Sequence, residues 1–190
     1  MDSIAKIKAH IDNNFTEKRK THTYGVVDTA IKLANKYGCD VRKAELAALF
    51  HDLYRSIPVT VLNYHVKHLE LDKKYMDNPN LSHGKIAAEM IQRDYNITDQ
   101  DIINAVSYHT TGRANMSLLE KIIYIADAIE PSRNYPGVDN IRRVVEENLD
   151  KACLMSLSHT IDYVSSEGNY LDEDTLHAKE YFEEIINKGE

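Results

Sequence analysis

The sequence contains no tryptophan and little glycine or proline, with 7 glycines and 4 prolines in 190 residues. A β-sandwich or β-barrel needs a turn signal roughly every 8–12 residues, and this composition cannot supply that many. The same scarcity excludes a glycine-rich loop that would hold phosphate groups with backbone N–H donors. The length fits one domain that is large enough to bury a sizeable core.

Cysteines and long apolar runs are also scarce. The two cysteines, Cys39 and Cys153, form no CxxC pair, which argues against a disulfide framework or a cysteine zinc site. No stretch approaches the roughly 18 uncharged apolar residues of a membrane helix. The first residues, MDSIAKIKAHIDNNF, lack the apolar block of a signal peptide. We therefore expect a cytoplasmic protein with no membrane partner.

The charge balance is acidic, with 23 basic against 30 acidic residues and a net charge of −7. Broad binding to DNA or RNA needs many cations facing phosphate, so we expect no nucleic-acid partner. A small phosphorylated ligand needs only a few local cations and is compatible with this charge. Histidine, in contrast, is abundant, with nine residues in the chain.

Helical periodicity recurs along the whole chain. Ile4, Ile7 and Ile11 share one face of a first helix. Gly38 is placed to end a second helix, and Ser117 with Glu120 forms a capping-box pattern. The predicted helices cover about 4–11, 16–38, 40–53, 58–68, 82–95, 98–109, 117–130, 139–166 with a break near 150, and 174–188, with a loop over 71–81. The fold class predicted is an all-α single domain.

Three places combine metal-ligand residue types with the ends of predicted helices: His22, the pair His51-Asp52, and Asp127. The pair directly follows the apolar run LAALF, and Asp127 follows IIYIA. Unsatisfied polar groups in such places would cost several kcal/mol, so these side chains need partners. Imidazole and carboxylate suit a first-row divalent cation. Hydrogen-bonded core couples are the alternative, and spacing alone does not decide between the two interpretations.

Longer motifs around these residues resemble one known family. The motifs are Arg19-Lys20-Thr21-His22-Thr23-Tyr24-Gly25-Val26, Ala47-Ala48-Leu49-Phe50-His51-Asp52, Ser107-Tyr108-His109-Thr110-Thr111-Gly112-Arg113, Ile122-Ile123-Tyr124 and Ala126-Asp127-Ala128-Ile129-Glu130-Pro131-Ser132-Arg133. In this order they resemble the HD-domain phosphohydrolases, and within them the bacterial symmetrical diadenosine tetraphosphatases. The resemblance runs from about residue 17 to 182.

The resemblance implies a helical HD bundle with a metal site in its centre. It implies an HD core over about 17–135 and C-terminal helices over about 138–188 that complete a nucleotide pocket, within one domain over 1–190. The implied metal ligands are His22, His51, Asp52 and Asp127. Iron is the expected metal, with manganese, cobalt or another divalent cation as alternatives. Asp52 is also expected to orient or deprotonate the attacking water, and His109 to protonate the leaving diphosphate.

Further residues are expected to contact the substrate because they match the family's motifs. They are Arg19, His22, Asp52, Leu53, Tyr54, Arg55, His83, His109, Thr110, Asp127, Arg133, Tyr170 and Thr175. Arginines suit phosphate because the guanidinium offers forked donors, and Arg113 is a further candidate, for which a solvated helix face is the alternative. At Arg55 the family commonly has lysine, so the charge is kept while the donor geometry changes.

The activity that the resemblance implies is cleavage of diadenosine tetraphosphate into two ADP. Three alternatives stay open: hydrolysis of a nucleoside monophosphate or a guanosine alarmone, a nucleotide-binding sensor without turnover, and a helical interaction protein. A homodimer is also open, since no surface stripe identifies an interface. The remaining histidines are predicted to be surface or packing residues: His10, His65, His68, His159 and His177.

Overall fold

The computed structural model describes residues 3–189, which form ten α-helices and one 3₁₀ turn with no β-strand among them. The helices are α1 (Ser3–Asn14), α2 (Glu17–Tyr37), α3 (Val41–Phe50), α4 (Val59–His68), α5 (Pro79–Tyr95), α6 (Gln100–Tyr108), α7 (Leu118–Ile129), α8 (Val138–Val144), α9 (Leu149–Ser166) and α10 (Glu173–Gly189). The all-α prediction is confirmed. Residues 1, 2 and 190 of the predicted domain lie outside the described residues.

The caps of α2 and α7 form as the sequence predicts. Thr16 accepts a hydrogen bond from the backbone N–H of Arg19, and Gly38 ends α2 in the left-handed region at φ 75°. At α7, Ser117 and Glu120 complete a reciprocal capping box. These local hydrogen bonds fix where the two helices that frame the site begin and end.

Two helices begin elsewhere than predicted. Helix α5 begins at Pro79 rather than Ser82, because proline is well suited to the first turn of a helix. Helix α6 is capped by Asp99 rather than Thr98, since the Asp99 carboxylate accepts from the N–H of Asp101. At α6 the adjacent Thr98 and Asp99 can both act as the cap.

The helical region predicted over 139–166, with a break near 150, consists of α8 and α9. The break comes at Asn148, whose side chain accepts from the N–H of Lys151 and caps α9. The predicted loop over 71–81 contains the 3₁₀ turn Lys73–Tyr75.

Helix α7 is the centre of the bundle. Most of its residues are buried, and it contacts α2, α3, α6, α8 and α9. Helix α10 packs on α9, and α1 packs on α3. Cys153 is fully buried in α9. Because α2, α3, α6 and α7 all meet, their polar residues are brought to one place.

Helix α4 lies at the periphery and packs on α5 through a second, smaller apolar cluster of Leu62, Val66, Tyr75 and Ile86. None of the helices in the described part of the chain combines the length and the apolarity that crossing a bilayer requires.

Candidate metal centre

Six polar side chains from five helical regions converge beside α7. They are His22 in α2, His51 and Asp52 at the end of α3, His83 in α5, His109 at the end of α6, and Asp127 in α7. All are buried apart from Asp127, whose side chain is 20% exposed. The expectation that the site lies in the centre of the helical bundle is confirmed.

The four predicted metal ligands lie together. His22 Nε2 is 3.3 Å from Asp52 Oδ2, 3.2 Å from Asp127 Oδ1 and 3.3 Å from His51 Nε2. His51 Nε2 is 3.5 Å from the same Asp52 oxygen. His22, His51 and Asp52 therefore form a compact group that could hold a cation, with Asp127 beside it.

A second compact group shares Asp52. His83 Nε2 is 3.2 Å and His109 Nε2 is 3.8 Å from Asp52 Oδ1, and the two Nε2 atoms are 3.0 Å apart. The two oxygens of Asp52 thus face different histidine pairs, and the second group also has the donor atoms of a cation site.

Backbone carbonyls fix the orientation of three of these rings. The Nδ1 atoms of His51, His83 and His109 lie 2.6, 2.9 and 2.8 Å from the carbonyl oxygens of residues 48, 79 and 106. A carbonyl only accepts, so each Nδ1 must carry the proton. In the neutral ring the lone pair is then on Nε2, which faces the centre of the site.

This arrangement fits a bound divalent cation. His83 Nε2 and His109 Nε2 cannot hydrogen-bond each other when both carry lone pairs, although they are only 3.0 Å apart. Converging imidazole lone pairs and carboxylate oxygens are the ligand set that first-row cations prefer. The site therefore has the chemistry of a metal centre rather than of a self-sufficient hydrogen-bonded couple.

Without a cation, a proton on His22 supplies part of the positive charge that the surrounding carboxylates need. Burial lowers the pKa of His22, but contacts with Asp127, Asp52 and Glu130 outweigh it and raise the pKa to about 9. Burial likewise disfavours the charged form of Asp52, yet His51 and His22 hold the pKa of that carboxyl well below its usual range. The carboxylates are thus ionised at neutral pH, as metal ligands must be.

The role of His109 as proton donor to the leaving group stays a prediction, and its surroundings also suit a metal ligand. Burial, together with His83 and His51, lowers the pKa of His109 to about 3. Its Nδ1 proton is already donated to a backbone carbonyl, and the hydroxyl of Thr110 lies 3.2 Å from Nε2. At neutral pH this ring is an acceptor that faces Asp52, which suits a ligand.

The predicted phosphate-binding arginines divide into two pairs. Arg19 contacts Asp52, and Arg133 contacts Asp127, so both lie at the metal centre. Arg55 instead donates to Asn80 at 2.8 Å, away from the ligands. Arg113 forms a two-pronged ion pair with Glu120, at 2.5 and 2.9 Å, rather than lying unpaired on a solvated face.

The other residues that are predicted to contact the substrate differ in their surroundings. Leu53 is nearly buried, and the Tyr54 ring packs edge-on against His65. Tyr170 is 53% exposed just before α10, whereas Thr175 is buried in the first turn of α10. Contacts between these residues and a substrate stay predictions.

Comparison with known proteins identifies the family. The family model "HD domain" matches residues 19–132. The symmetrical bis(5'-nucleosyl)-tetraphosphatase of Bacillus subtilis is 39% identical over 169 residues, which cover 88% of this chain and 91% of that protein. A protein of the same name from Halalkalibacterium halodurans is 39% identical over 92% of this chain and 91% of its own length. This chain belongs to the HD-domain family of symmetrical bis(5'-nucleosyl)-tetraphosphatases.

The fold of this HD protein also matches an experimental structure. A crystal structure described as a predicted HD superfamily hydrolase involved in NAD metabolism, from Clostridium acetobutylicum, is 42% identical. It aligns with a TM-score of 0.90 over 95% of this chain and 97% of that chain. The resemblance seen in the sequence is therefore confirmed, and the helices that carry the metal centre share one fold with that protein.

Sequence reasoning about this HD protein missed two features of the site's surroundings. Glu130 is 1% exposed, and its carboxylate contacts His22. Lys85 is also buried, and it lies over the face of the Tyr108 ring with its Nζ 3.9 Å from Asp174. The sequence signal for Lys85 is a lysine within a predicted helix, and the one for the contact of Glu130 is Gly25, a glycine inside a helix.

Replacing Lys85 by methionine is expected to stabilise the fold by about 1–3 kcal/mol at pH 7. Burial lowers the pKa of Lys85 from 10.5 to about 8, so charging it in the folded protein costs up to about 3 kcal/mol. Methionine has a similar shape without the charge, although it forfeits the contact with Tyr108. Urea unfolding at pH 7 measures the gain.

The exposed Lys67 in α4 gives a matched control, because Lys67→Met should change stability by less than about 0.5 kcal/mol. The advantage of Lys85→Met should shrink toward pH 10.5, where lysine in the unfolded chain also loses its proton. A Lys85→Met protein less stable than wild type at pH 7 would contradict this account of the buried charge.

Proposed function

We propose that this chain is a metal-dependent hydrolase that cleaves diadenosine tetraphosphate symmetrically into two ADP. The observation that carries the proposal is the set of Nε2 lone pairs and carboxylate oxygens that face one another around Asp52. The relatives named for this activity are about as long as this chain and supply the substrate by analogy.

We propose His22, His51, Asp52 and Asp127 as ligands of one divalent cation. Asp52, His83 and His109 form a second set of donors, and we propose a cation there rather than direct phosphate contacts by the histidines. Iron is the proposed metal, with manganese and cobalt as alternatives, since imidazole and carboxylate suit all three. A cation in such a site supplies acidified water and neutralises charge on the phosphoryl group.

The chain's own residues have separate roles in this hydrolysis. Water adds across the central anhydride: the hydroxyl joins one β-phosphorus, and the proton goes to the oxygen of the leaving ADP. Asp52 is ionised and central, so it can orient the water and accept its proton. Arg19 and Arg133 flank the ligand carboxylates and have partly exposed side chains, 27% and 39%, that can meet phosphate oxygens.

We also propose that the helices after residue 138 complete the nucleotide pocket. Tyr170 lies exposed just before α10, where it can stack on a base, and Thr175 lies one turn further on. Leu53, Tyr54, Arg55 and Thr110 are proposed to line the phosphate side because they follow the ligands directly in sequence.

Product chromatography of the metal-loaded chain tests the proposal. With added Fe²⁺ under anaerobic conditions, or with Mn²⁺, diadenosine tetraphosphate should give ADP alone. AMP plus ATP would reject symmetrical cleavage. Turnover of a nucleoside monophosphate or a guanosine alarmone instead would support the alternative hydrolases, and nucleotide binding without products would support a sensor. Metal analysis of the same sample identifies the cation.

A further inference from the structure

Both ring nitrogens of His22 are contacted from the end of α7, by a residue of its last turn and by its C-cap residue. Asp127 Oδ1 lies 3.2 Å from Nε2, and Glu130 Oε1 lies 3.0 Å from Nδ1. Residues three apart share one face of a helix, which explains how the end of one helix reaches both sides of the ring. His22 is thus the histidine of the centre whose Nδ1 is held by a carboxylate instead of a backbone carbonyl.

Groups other than His22 also hold the Glu130 carboxylate in place. It accepts from the Ser132 N–H at 2.7 Å and from the Ser132 hydroxyl at 2.5 Å. Its backbone carbonyl accepts from Arg142 and from the N–H of Arg133, both at 2.9 Å. With two hydrogen bonds from Ser132 on a side chain that is 1% exposed, and with the backbone of the same residue held by two more, the carboxylate has little freedom to leave Nδ1.

Gly25, one turn after His22 in α2, makes room for this carboxylate. A Cβ at position 25 would lie 2.7 Å from Glu130 Oε2, which is shorter than any ordinary contact. Alanine suits a helix interior better than glycine does, so a glycine here needs a local reason. The approach of Glu130 supplies that reason.

We infer that Glu130 is a positioning residue, which keeps the Nδ1 proton of His22 in place so that Nε2 faces the cation, and that Gly25 provides the space for it. The inference rests on the proposed metal centre. A carboxylate behind a ligating histidine fixes the ring and raises its basicity, and removing such a partner typically weakens metal affinity about 10- to 100-fold.

Glu130→Gln in the full chain tests the charge of this side chain. The metal is removed with a chelator, and Mn²⁺ affinity is then measured by competition at one fixed pH. We expect about 10- to 100-fold weaker binding than in wild type. Wild-type Mn²⁺ affinity in a folded Glu130→Gln protein would overturn the inference.

Glu120→Gln is the matched control. Glu120 lies in α7, which Glu130 directly follows, and has the same 1% exposure, but its carboxylate pairs with Arg113 and contacts none of the proposed ligands. It should lose thermal stability and keep Mn²⁺ affinity within about twofold of wild type. An equal affinity loss in both variants would show a general effect of disturbing α7 and would overturn the positioning role.

Gly25→Ala keeps the test decisive if Glu130→Gln fails to fold. The added methyl group must displace Glu130 from His22, so Mn²⁺ binding should weaken about tenfold or more although alanine favours the helix. The double variant, Gly25→Ala with Glu130→Gln, should bind Mn²⁺ little more weakly than the weaker of the two single variants, because both changes break the same contact. Full additivity would contradict that shared contact, and wild-type affinity in Gly25→Ala would overturn the inference.

The outcomes separate this inference from the proposed function. A wild-type chain that binds no Mn²⁺ or Fe²⁺ would defeat the proposed metal centre itself. If wild type binds metal and both Glu130→Gln and Gly25→Ala bind it equally tightly, the proposed function stands and only the role of Glu130 is refuted.

Discussion

Replacing His51 by alanine is expected to remove the cation and to lower kcat/KM by at least about 1000-fold. The His51 ring is fully buried, and its Nε2 lies 3.3 Å from His22 Nε2 and 3.5 Å from Asp52 Oδ2. Loss of this donor opens the first ligand group, and a catalytic cation is worth several kcal/mol in the transition state, about a thousandfold or more in rate. Metal analysis and the diadenosine tetraphosphate assay measure the two effects.

The exposed His177 in α10 provides the control, because His177→Ala should keep wild-type metal content and turnover. His51→Gln preserves more of the buried volume, so it separates loss of the ligand from loss of packing if the alanine variant is unstable. Wild-type metal content and turnover in a folded His51→Ala protein would refute the ligand assignment.

In the metal-free protein the contribution of His22 to stability, measured as the difference between wild type and His22→Gln, is expected to fall by about 2 kcal/mol between pH 6 and pH 8. The pKa of His22 rises from 6.5 in the unfolded chain to about 9 in the fold, through contacts with Asp127, Asp52 and Glu130 that outweigh burial. A raised folded-state pKa stabilises fully below pH 6.5, and this contribution is lost as the pH rises toward 9. Urea unfolding of the two chelator-treated proteins at pH 6, 7 and 8 measures the loss.

The comparison with His22→Gln is needed because two other groups act in the opposite direction: His109, whose pKa burial lowers to about 3, and Lys85. The pKa of Lys85 is lowered to about 8 by burial, so its charging penalty fades as the pH rises further. Saturating Mn²⁺ should abolish most of the slope, since a cation displaces the His22 proton. A His22→Gln protein whose stability falls as steeply as that of wild type, without metal, would assign the slope to another group.

Local chemistry explains which helix boundaries could be predicted from the sequence. Gly38 and the Ser117–Glu120 capping box are unambiguous, because each offers a conformation or a hydrogen bond that its neighbours cannot. At α6, Thr98 and Asp99 are adjacent residues that can both cap a helix, and the one that does so, Asp99, also pairs with Lys43 of α3 at 2.7 Å. The break before α9 depends in the same way on Asn148, which precedes the predicted position near residue 150.

The site also contains residues that could be predicted from the sequence and residues that could not. His22, His51, Asp52 and Asp127 could be found because each stands in a motif that resembles the family. Glu130 belongs to one of these motifs, but its contact with His22 joins residues 108 positions apart and depends on the packing of α2 against α7. The glycine at position 25 was the one local sign of that contact. The role of Lys85 likewise depends on how α5, α6 and α10 meet.

The polar centre also determines how the helices align. Apolar helix faces tolerate sliding, because one leucine can replace another in a groove with modest loss. A shift of one helical turn, about 5.4 Å, would instead separate nitrogen and oxygen atoms that must meet within a few tenths of an ångström to bind one ion. The histidines and carboxylates between α2, α3, α5, α6 and α7 therefore favour one register of these helices over the others.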